Sequence, residues 1–266
     1  MGNEEKVLVK IEDRLAIITL NRPQRLNAFD SEVWAGLEEA AKSVRCAPDV
    51  RVVILTGAGE RAFSAGLDLK MVSAGEELSP SRPTRDWFDR IQGLKDVFTM
   101  YDNLPVPVIA AINGYCLGAG LELVLACDIR IASETASFSL PEVSLGVIPD
   151  MGSTQRLPRV VGLSKAKELI LTSRRIDAAE ALRIGLVDHV YPQESLMTEA
   201  RQLAEEIASH LPAAVQGAKR AINVALSTPL ELVLSYETAT AVGTLSAGGL
   251  ALQETAADFS KKKSKQ

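Results

Sequence analysis

The run Val52-Val53-Ile54-Leu55-Thr56-Gly57 limits the fold more than any other part of the chain. Its apolar residues do not alternate with polar ones, so a strand built from them is covered on both faces, the condition met inside an α/β domain with parallel strands. The flanking sequence supplies the cover. Val7–Ile11 and Leu15–Leu20 are β-rich runs separated by Glu12-Asp13-Arg14, which predicts an antiparallel hairpin that ends at Asn21-Arg22-Pro23. From Asp30, a residue suited to an N-cap, Val33, Trp34, Leu37, Ala40, Ala41 and Val44 recur at three- and four-residue steps. That spacing predicts an amphipathic helix between the hairpin and the buried strand.

The same grammar continues. Residues 87–100 read as a helix, 106–112 as a strand, Leu121–Cys127 as a helix, and Ile129–Ala132 and Ala136–Leu140 as strands before Pro141 breaks the chain. Beyond Ser164 the sequence predicts helices at 164–172, 177–184, 196–209, 212–226 and 229–257. The shift in content implies an α/β core over residues 1–195 that carries the chemistry, followed by a helical region over 196–266. The segment Ser73–Pro83, which holds Gly75, Pro80 and Pro83, reads as the most mobile loop. Neither a sequence repeat nor a low-complexity linker is visible.

Composition serves mainly to exclude. With 266 residues, 47% apolar and 24% charged, the chain can bury a large core without metal or disulfide support. No apolar run approaches the roughly 18 to 20 residues that span a bilayer, and the opening Met1–Lys6 is polar and acidic, so the chain reads as cytoplasmic with no membrane partner. A net charge of -5 argues against nucleic acid as a partner. The basic run Lys261-Lys262-Lys263 with Lys265 reads as a solvated tail or a phosphate contact. Cys46, Cys116 and Cys127 lie among apolar residues and are expected as buried free thiols. The two histidines, His189 and His210, fall in the helical half, and no G-x-S-x-G elbow is present, so serine-hydrolase chemistry is not supported.

Three places carry chemistry. In Ala65-Gly66-Leu67-Asp68-Leu69 a glycine allows a sharp turn and close approach to a ligand. Gly114-Tyr115-Cys116-Leu117-Gly118-Ala119-Gly120 sets small residues between a strand and a helix, where free amides can face an anion or a developing oxyanion. It fits neither the dinucleotide pattern G-x-G-x-x-G nor the phosphate loop G-x-x-x-x-G-K-[ST]. Finally, Glu122 sits in an apolar stretch, Glu142 follows Pro141, and Asp150 follows Ile148-Pro149. Acids in such surroundings are candidates for proton transfer near neutral pH.

Read together, Asn21-Arg22-Pro23 with Leu26-Asn27-Ala28, Phe63-Ser64-Ala65-Gly66-Leu67-Asp68, Ala111 through Glu122, Cys127-Asp128-Ile129-Arg130, Pro141-Glu142 and Gly152 through Leu157 resemble the enoyl-CoA hydratase/isomerase (crotonase) superfamily over Val7–Val190. The resemblance implies a spiral of ββα units with a helical C-terminal region that assembles homotrimers or dimers of trimers. It implies an acyl-CoA thioester as substrate, with coenzyme A part of that substrate and no metal or redox cofactor. The backbone amides of Leu67 and Ala119 are the implied oxyanion hole. Gln24, Arg25, Leu26, Ala28, Ala65, Gly66, Asp68 and Leu69 are implied to follow the coenzyme and thioester, with Gly118, Gly120 and Pro141 lining the reacting end. Glu122 and Glu142 match the two acids of the hydratases.

Asp150 departs from the hydratase pattern, in which a small residue is usual. Dienoyl-CoA isomerases carry an aspartate at that spacing from the second acid, and Thr84–Ile91 leading to Phe98 also resembles them, as does Gly66-Leu67-Asp68. They have aspartate where Glu122 stands, however. Hydration across the 2,3 double bond is therefore the first expectation, and conversion of a 3,5-dienoyl-CoA to the 2,4-dienoyl-CoA is the second. Hydrolysis or decarboxylation of an acyl-CoA, and non-catalytic binding of acyl-CoA or RNA, come after these. Trp87 and Phe88 are expected near the acyl pocket. Ser246-Ala247-Gly248-Gly249 replaces a more polar segment of the family.

Overall fold

The computed structural model describes residues 5–70, 84–225 and 227–263, with side chains over 5–70, 86–225 and 227–246. The loop expected at 73–83 and Lys265 lie outside the described residues. The predicted hairpin forms: β1 (Val7–Glu12) and β2 (Leu15–Leu20) pair antiparallel, closing at Glu12 opposite Leu15. The apolar run becomes β3 (Val52–Gly57), buried throughout and parallel to β2. Parallel pairing continues through β5 (Val108–Ile112), β7 (Ile129–Ser133) and β10 (His189–Tyr191), giving a six-stranded sheet in the order β1-β2-β3-β5-β7-β10.

Period-two geometry sends alternate residues of β3 to opposite faces. Val53 and Leu55 join one apolar cluster and Val52 and Ile54 another. The first is closed by α1 (Ser31–Arg45) and α2 (Thr84–Asp102), where Phe29, Trp34 and Phe98 meet with ring centroids 4.7 to 6.0 Å apart. Asp30 caps α1 by accepting from Val33 N–H at 3.0 Å. The second is closed by α7 (Leu196–Ser209), whose Leu196, Ala200, Ala204 and Ala208 form one stripe against Leu15, Ile17, Val52 and Ile54. Each fully buried Ile, Leu or Val stabilises the fold by about 1.5 to 3 kcal/mol.

A second sheet, in the order β4-β6-β8-β9, is made of strands only two or three residues long: β4 (Ala62–Ser64), β6 (Tyr115–Leu117), β8 (Ser137–Ser139) and β9 (Ile176–Asp177). From β3 to β8 the chain adds strands alternately to the first sheet and to the second, and this alternation is the spiral of ββα units. Beyond β8, α4 (Ser153–Val161), α5 (Leu163–Thr172) and α6 (Ala178–Arg183) cover the site side, and α8 (Pro212–Asn223) and α9 (Leu230–Lys263) form the C-terminal arm. Gly217 lets the two arm helices approach, since a Cβ there would lie 2.7 Å from Thr244 Cγ2. Lys219 pins the arm to the core, with its Nζ 2.7 Å from Asp128 Oδ2 and donating to Val106 O at 3.0 Å.

Several sequence expectations are corrected. The helix placed at 121–127 is α3 (Ala119–Val124), because Asp128 is already held at the start of β7, its N–H donating to Val108 O and its carboxylate accepting from Val108 N–H. A strand, β6, forms within the stretch read as the link between a strand and a helix. Helix α4, which has Pro158 inside it, was not foreseen. Cys46 is exposed at the end of α1, whereas Cys116 and Cys127 are buried free thiols. His189 lies on a strand, not in a helical region. No described helix is long and apolar enough to cross a membrane.

Candidate active site

Strand pairing assembles the site. β4, β6 and β8 run parallel, with Ser64 opposite Cys116 and Leu117 opposite Ser139. The segments leaving their C-terminal ends therefore lie side by side: Ala65-Gly66-Leu67, then Gly118-Ala119 leading into α3, then Pro141-Glu142. This is the usual position for ligands in parallel sheets.

Two peptide N–H groups are left over there. Leu67 forms a parallel bridge with Phe29, and the bonds of that bridge use Gly66 O (from Phe29 N–H, 2.8 Å) and Asp68 N–H (to Phe29 O, 2.9 Å). The N–H of Leu67 itself points the other way. Gly118 N–H is used by Ser139 O at 2.9 Å, and the first bond inside α3 runs from Glu122 N–H to Gly118 O, so Ala119 N–H has no acceptor within its helix. Among the described residues, neither amide donates a hydrogen bond. Gly66 makes their approach possible: it has φ +85°, and a Cβ there would lie 2.7 Å from Leu117 O and 3.3 Å from Ala119 N. Gly120 allows α3 to seat on β4, where a Cβ would meet that of Ser64 at 2.8 Å.

The acids converge on the same place but are held differently. Glu122, 2% exposed on the first turn of α3, accepts at a single oxygen, Oε1, from Met151 N–H (3.0 Å), Ser153 N–H (3.1 Å) and Ser153 Oγ–H (2.6 Å). Burial pushes its carboxyl above the ordinary range, opposed by those donors and reinforced by the charge of Asp150. Glu142 starts a 3-10 turn (Glu142–Leu145), and its Oε1 lies 2.8 Å from where a Cβ on Gly118 would stand. Its Oε2 is buried, and no group among the described residues donates to it. Burial, with the charges of Glu122 and Asp150, raises Glu142 to about 7. Asp150 is also raised by burial, against the attraction of Lys95 on α2.

Other predicted positions fall as follows. Leu26 and Asn27 take left-handed conformations (φ 52° and 54°), and Asn27 Nδ2 donates to Ala58 O and Ala62 O. Ala65 N–H donates to Leu26 O at 2.9 Å, so this turn braces the Ala65–Leu69 segment. Arg22, which carried no assigned role in the sequence, ties the two together by donating to Ala28 O (2.6 Å) and to Asp68 Oδ2 (3.2 Å). The Asp68 carboxylate is thus engaged with Arg22 and with Lys70 N–H, and contributes to structure. Gln24, Arg25 and Leu69 are exposed on the rim, Ala28 is buried, and Pro141 is half-buried beside Glu142. Trp87 and Phe88 lie near the start of α2, with Phe88 exposed. Ser153 is the residue that sequence reasoning missed. Its only signal was its place in the Gly152 through Leu157 motif.

A separate cleft of about 360 Å³ lies over the six-stranded sheet, but it contains no acid, and its Thr56, Asn113 and Gln193 are already bonded to backbone carbonyls. The acids and the two free amides lie together at the strand-end site instead.

Comparison with known proteins identifies the family. The family model for enoyl-CoA hydratase/isomerase matches residues 10–263. A short-chain-enoyl-CoA hydratase from Clostridium acetobutylicum is 42% identical over 231 residues, 87% of this chain and 86% of the relative. The crystal structure of an enoyl-CoA hydratase from Bacillus anthracis superposes with a TM-score of 0.85 at 40% identity, over 94% of this chain and 96% of that one. A Thermobifida fusca chain, described as an enoyl-CoA hydratase and solved in complex with CoA, superposes with a TM-score of 0.83 at 33% identity, over 91% and 94%. The chain belongs to the enoyl-CoA hydratase/isomerase family.

Proposed function

We propose that this chain is an enoyl-CoA hydratase, adding water across the 2,3 double bond of an enoyl-CoA thioester. The observation that carries the reading is the convergence, at the ends of three parallel strands, of two unused amides and two glutamates held in different ways. The amides of Leu67 and Ala119 receive the thioester oxygen, where charge develops as the double bond is attacked. Losing one such donor typically costs about 3 to 4 kcal/mol of barrier.

Glu122, steadied by three donors, is the better placed to remain a carboxylate, and it takes a proton from the attacking water as the water oxygen bonds to C3. The C2=C3 electron pair moves onto the thioester, giving an enolate whose oxygen faces the two amides. Glu142, raised to about 7 and so still partly protonated at neutral pH, delivers its proton to C2 as the enolate collapses. A proton passing from Glu122 to Glu142 restores the starting state. The coenzyme part follows the rim formed by Gln24, Arg25, Leu26 and Ala28 and by the Ala65–Leu69 segment; it is part of the substrate, and the chemistry calls for no further cofactor.

The apolar residues Leu230, Leu234, Val242 and Leu245 form one exposed stripe along α9, which supports assembly of the C-terminal arm with further copies as a homotrimer or a dimer of trimers. Adding the protein to crotonyl-CoA and following loss of the conjugated enoyl absorbance tests the function, and no turnover would sink it. One observation favours a second reading: Asp150 raises both glutamates, so a third acid borders the site. Shuttling a proton along a 3,5-dienoyl-CoA uses acids at both ends of the reacting segment, and a parallel assay with that substrate tests it.

A further inference from the structure

We infer that Arg156 is a positioning residue for Glu122, holding the Met151-Gly152-Ser153 turn that feeds this carboxylate its donors. The inference rests on the two-glutamate reading above. Arg156 lies in the second turn of α4, and its guanidinium folds back over the start of its own helix. Nη1 donates to Met151 O at 3.2 Å, and the group packs so closely on Gly152 that a Cβ there would lie 2.2 Å from Nη1. Nη2 reaches across to α2, donating to Thr99 Oγ1 at 3.1 Å and lying 3.6 Å from Asp102 Oδ2. Thr99 is fixed in turn by its hydroxyl, which donates to Lys95 O at 3.0 Å.

One side chain thus fastens the 151–153 turn to a helix of the core, and the two amides and one hydroxyl of that turn converge on Glu122 Oε1. Gly152 explains the motif on both counts. Its φ of +115° is a conformation that side-chain-bearing residues rarely adopt, and only a residue without Cβ leaves room for the guanidinium. Without Arg156, nothing else described ties Met151 O to α2, and the donors of the turn lose their common direction. A misplacement of about 1 Å at a reacting group can cost on the order of 100-fold in rate.

The titratable neighbours of Glu122 are Asp150 and Glu142, and Lys95 faces Asp150 from α2. A donor to a carboxylate favours its charged form, so a loosened turn moves the ionisation of Glu122 to higher pH. The test compares the wild-type chain with Arg156→Ala, Arg156→Lys and Glu122→Gln in hydration of crotonyl-CoA across pH. Arg156→Ala is expected to lower kcat by about 10- to 100-fold with KM within about threefold, and to shift the acidic limb of the kcat profile upward. Arg156→Lys, which keeps one donor, falls between, and added guanidinium ion restores part of the rate of Arg156→Ala. An arginine that served only stability would lower the melting temperature without moving the limb, and that result overturns the inference. If Glu122→Gln keeps full rate, the two-glutamate reading fails and takes this inference with it. If Glu122→Gln is inactive while Arg156→Ala keeps the wild-type rate and profile, only the role of Arg156 falls. Should Arg156→Ala not fold, Thr99→Val removes one anchor and leaves the arginine in place; an upward limb shift supports the inference and an unchanged limb refutes it.

Discussion

Replacing Glu142 by glutamine should abolish hydration and at the same time make the protein more stable at alkaline pH. The carboxyl is raised from 4.5 to about 7, chiefly by burial, with the charges of Glu122 and Asp150 adding to it. A folded-state value above the unfolded one means that the fold favours the protonated acid. The stability linked to this group is therefore fully present below pH 4.5 and is lost as pH rises through about 7. A shift of this size corresponds to about 3 kcal/mol at alkaline pH, and because the side chain is only half-buried, solvent screening reduces it to about 1 to 2 kcal/mol. Glutamine has the same shape and never ionises, so it escapes this cost. Calorimetric melting at pH 8.5 should show Glu142→Gln above the wild type by several degrees, with the two converging at pH 5. Equal melting temperatures at pH 8.5, or a gap that widens toward acid, would refute the argument. Loss of stability in the variant at both pH values would show that Glu142 is held by contacts other than those described.

Three further outcomes follow from the same geometry. Gly66→Ala forces a Cβ into a backbone at φ +85° and to 2.7 Å from Leu117 O, so the Leu67 amide must move; a loss of about 100-fold in kcat/KM is expected, checked in the crotonyl-CoA assay. Asp150→Gly should leave hydration within a few-fold of wild type while eliminating any activity toward a 3,5-dienoyl-CoA, and a severe loss of hydration would place Asp150 in the primary chemistry. Lys219→Met leaves Asp128 without its cation at a largely buried position, and about 3 kcal/mol of destabilisation is expected by thermal melting, partly recovered by adding Asp128→Asn.

Much of the first sheet was legible because its strands are long enough to carry a pattern. β3 shows no alternation for the physical reason that both its faces are buried, and α1 declares itself through the spacing of Val33, Leu37 and Val44. The second sheet was not legible. β4, β6 and β8 have three residues each, too few for any period to appear, and their pairing depends on partners more than 20 residues away. Glu122 and Glu142 could be singled out as acids among apolar residues, but their convergence follows from β6 lying beside β8, which no local pattern encodes. Cys46 was misjudged for a similar reason. Val44, Ala47 and Pro48 near it are apolar, yet it falls at the end of α1, where the chain returns to solvent. Ser153 and Arg156 could be seen only as members of a motif, because their partners, Glu122 and Thr99, lie far from them in the chain.

In the proposed mechanism, the division of labour between the two glutamates comes from what surrounds each carboxylate, since the side chains are chemically identical. Several buried polar groups of the core are satisfied: Asn27 donates twice and accepts once, Asn113 bonds Gly57 in both directions, and Arg130 donates to Leu186 O and Cys127 O, whereas among the described residues Trp34 Nε1, Ser137 Oγ and Glu142 Oε2 are buried without a partner. The carboxylate of Glu142 packs its Oε1 against Gly118, and its buried Oε2 has no donor among the described residues. Supplying donors to that oxygen would stabilise the carboxylate, lower its affinity for a proton and remove the acid that the enolate needs. Removing the three donors from Glu122 would have the opposite effect, protonating the group that must accept from water. The strand-end turns at 118 and 141 and the turn at 151–153 keep the two environments apart, and in the proposed mechanism that separation is what turns a pair of equal acids into a base and an acid.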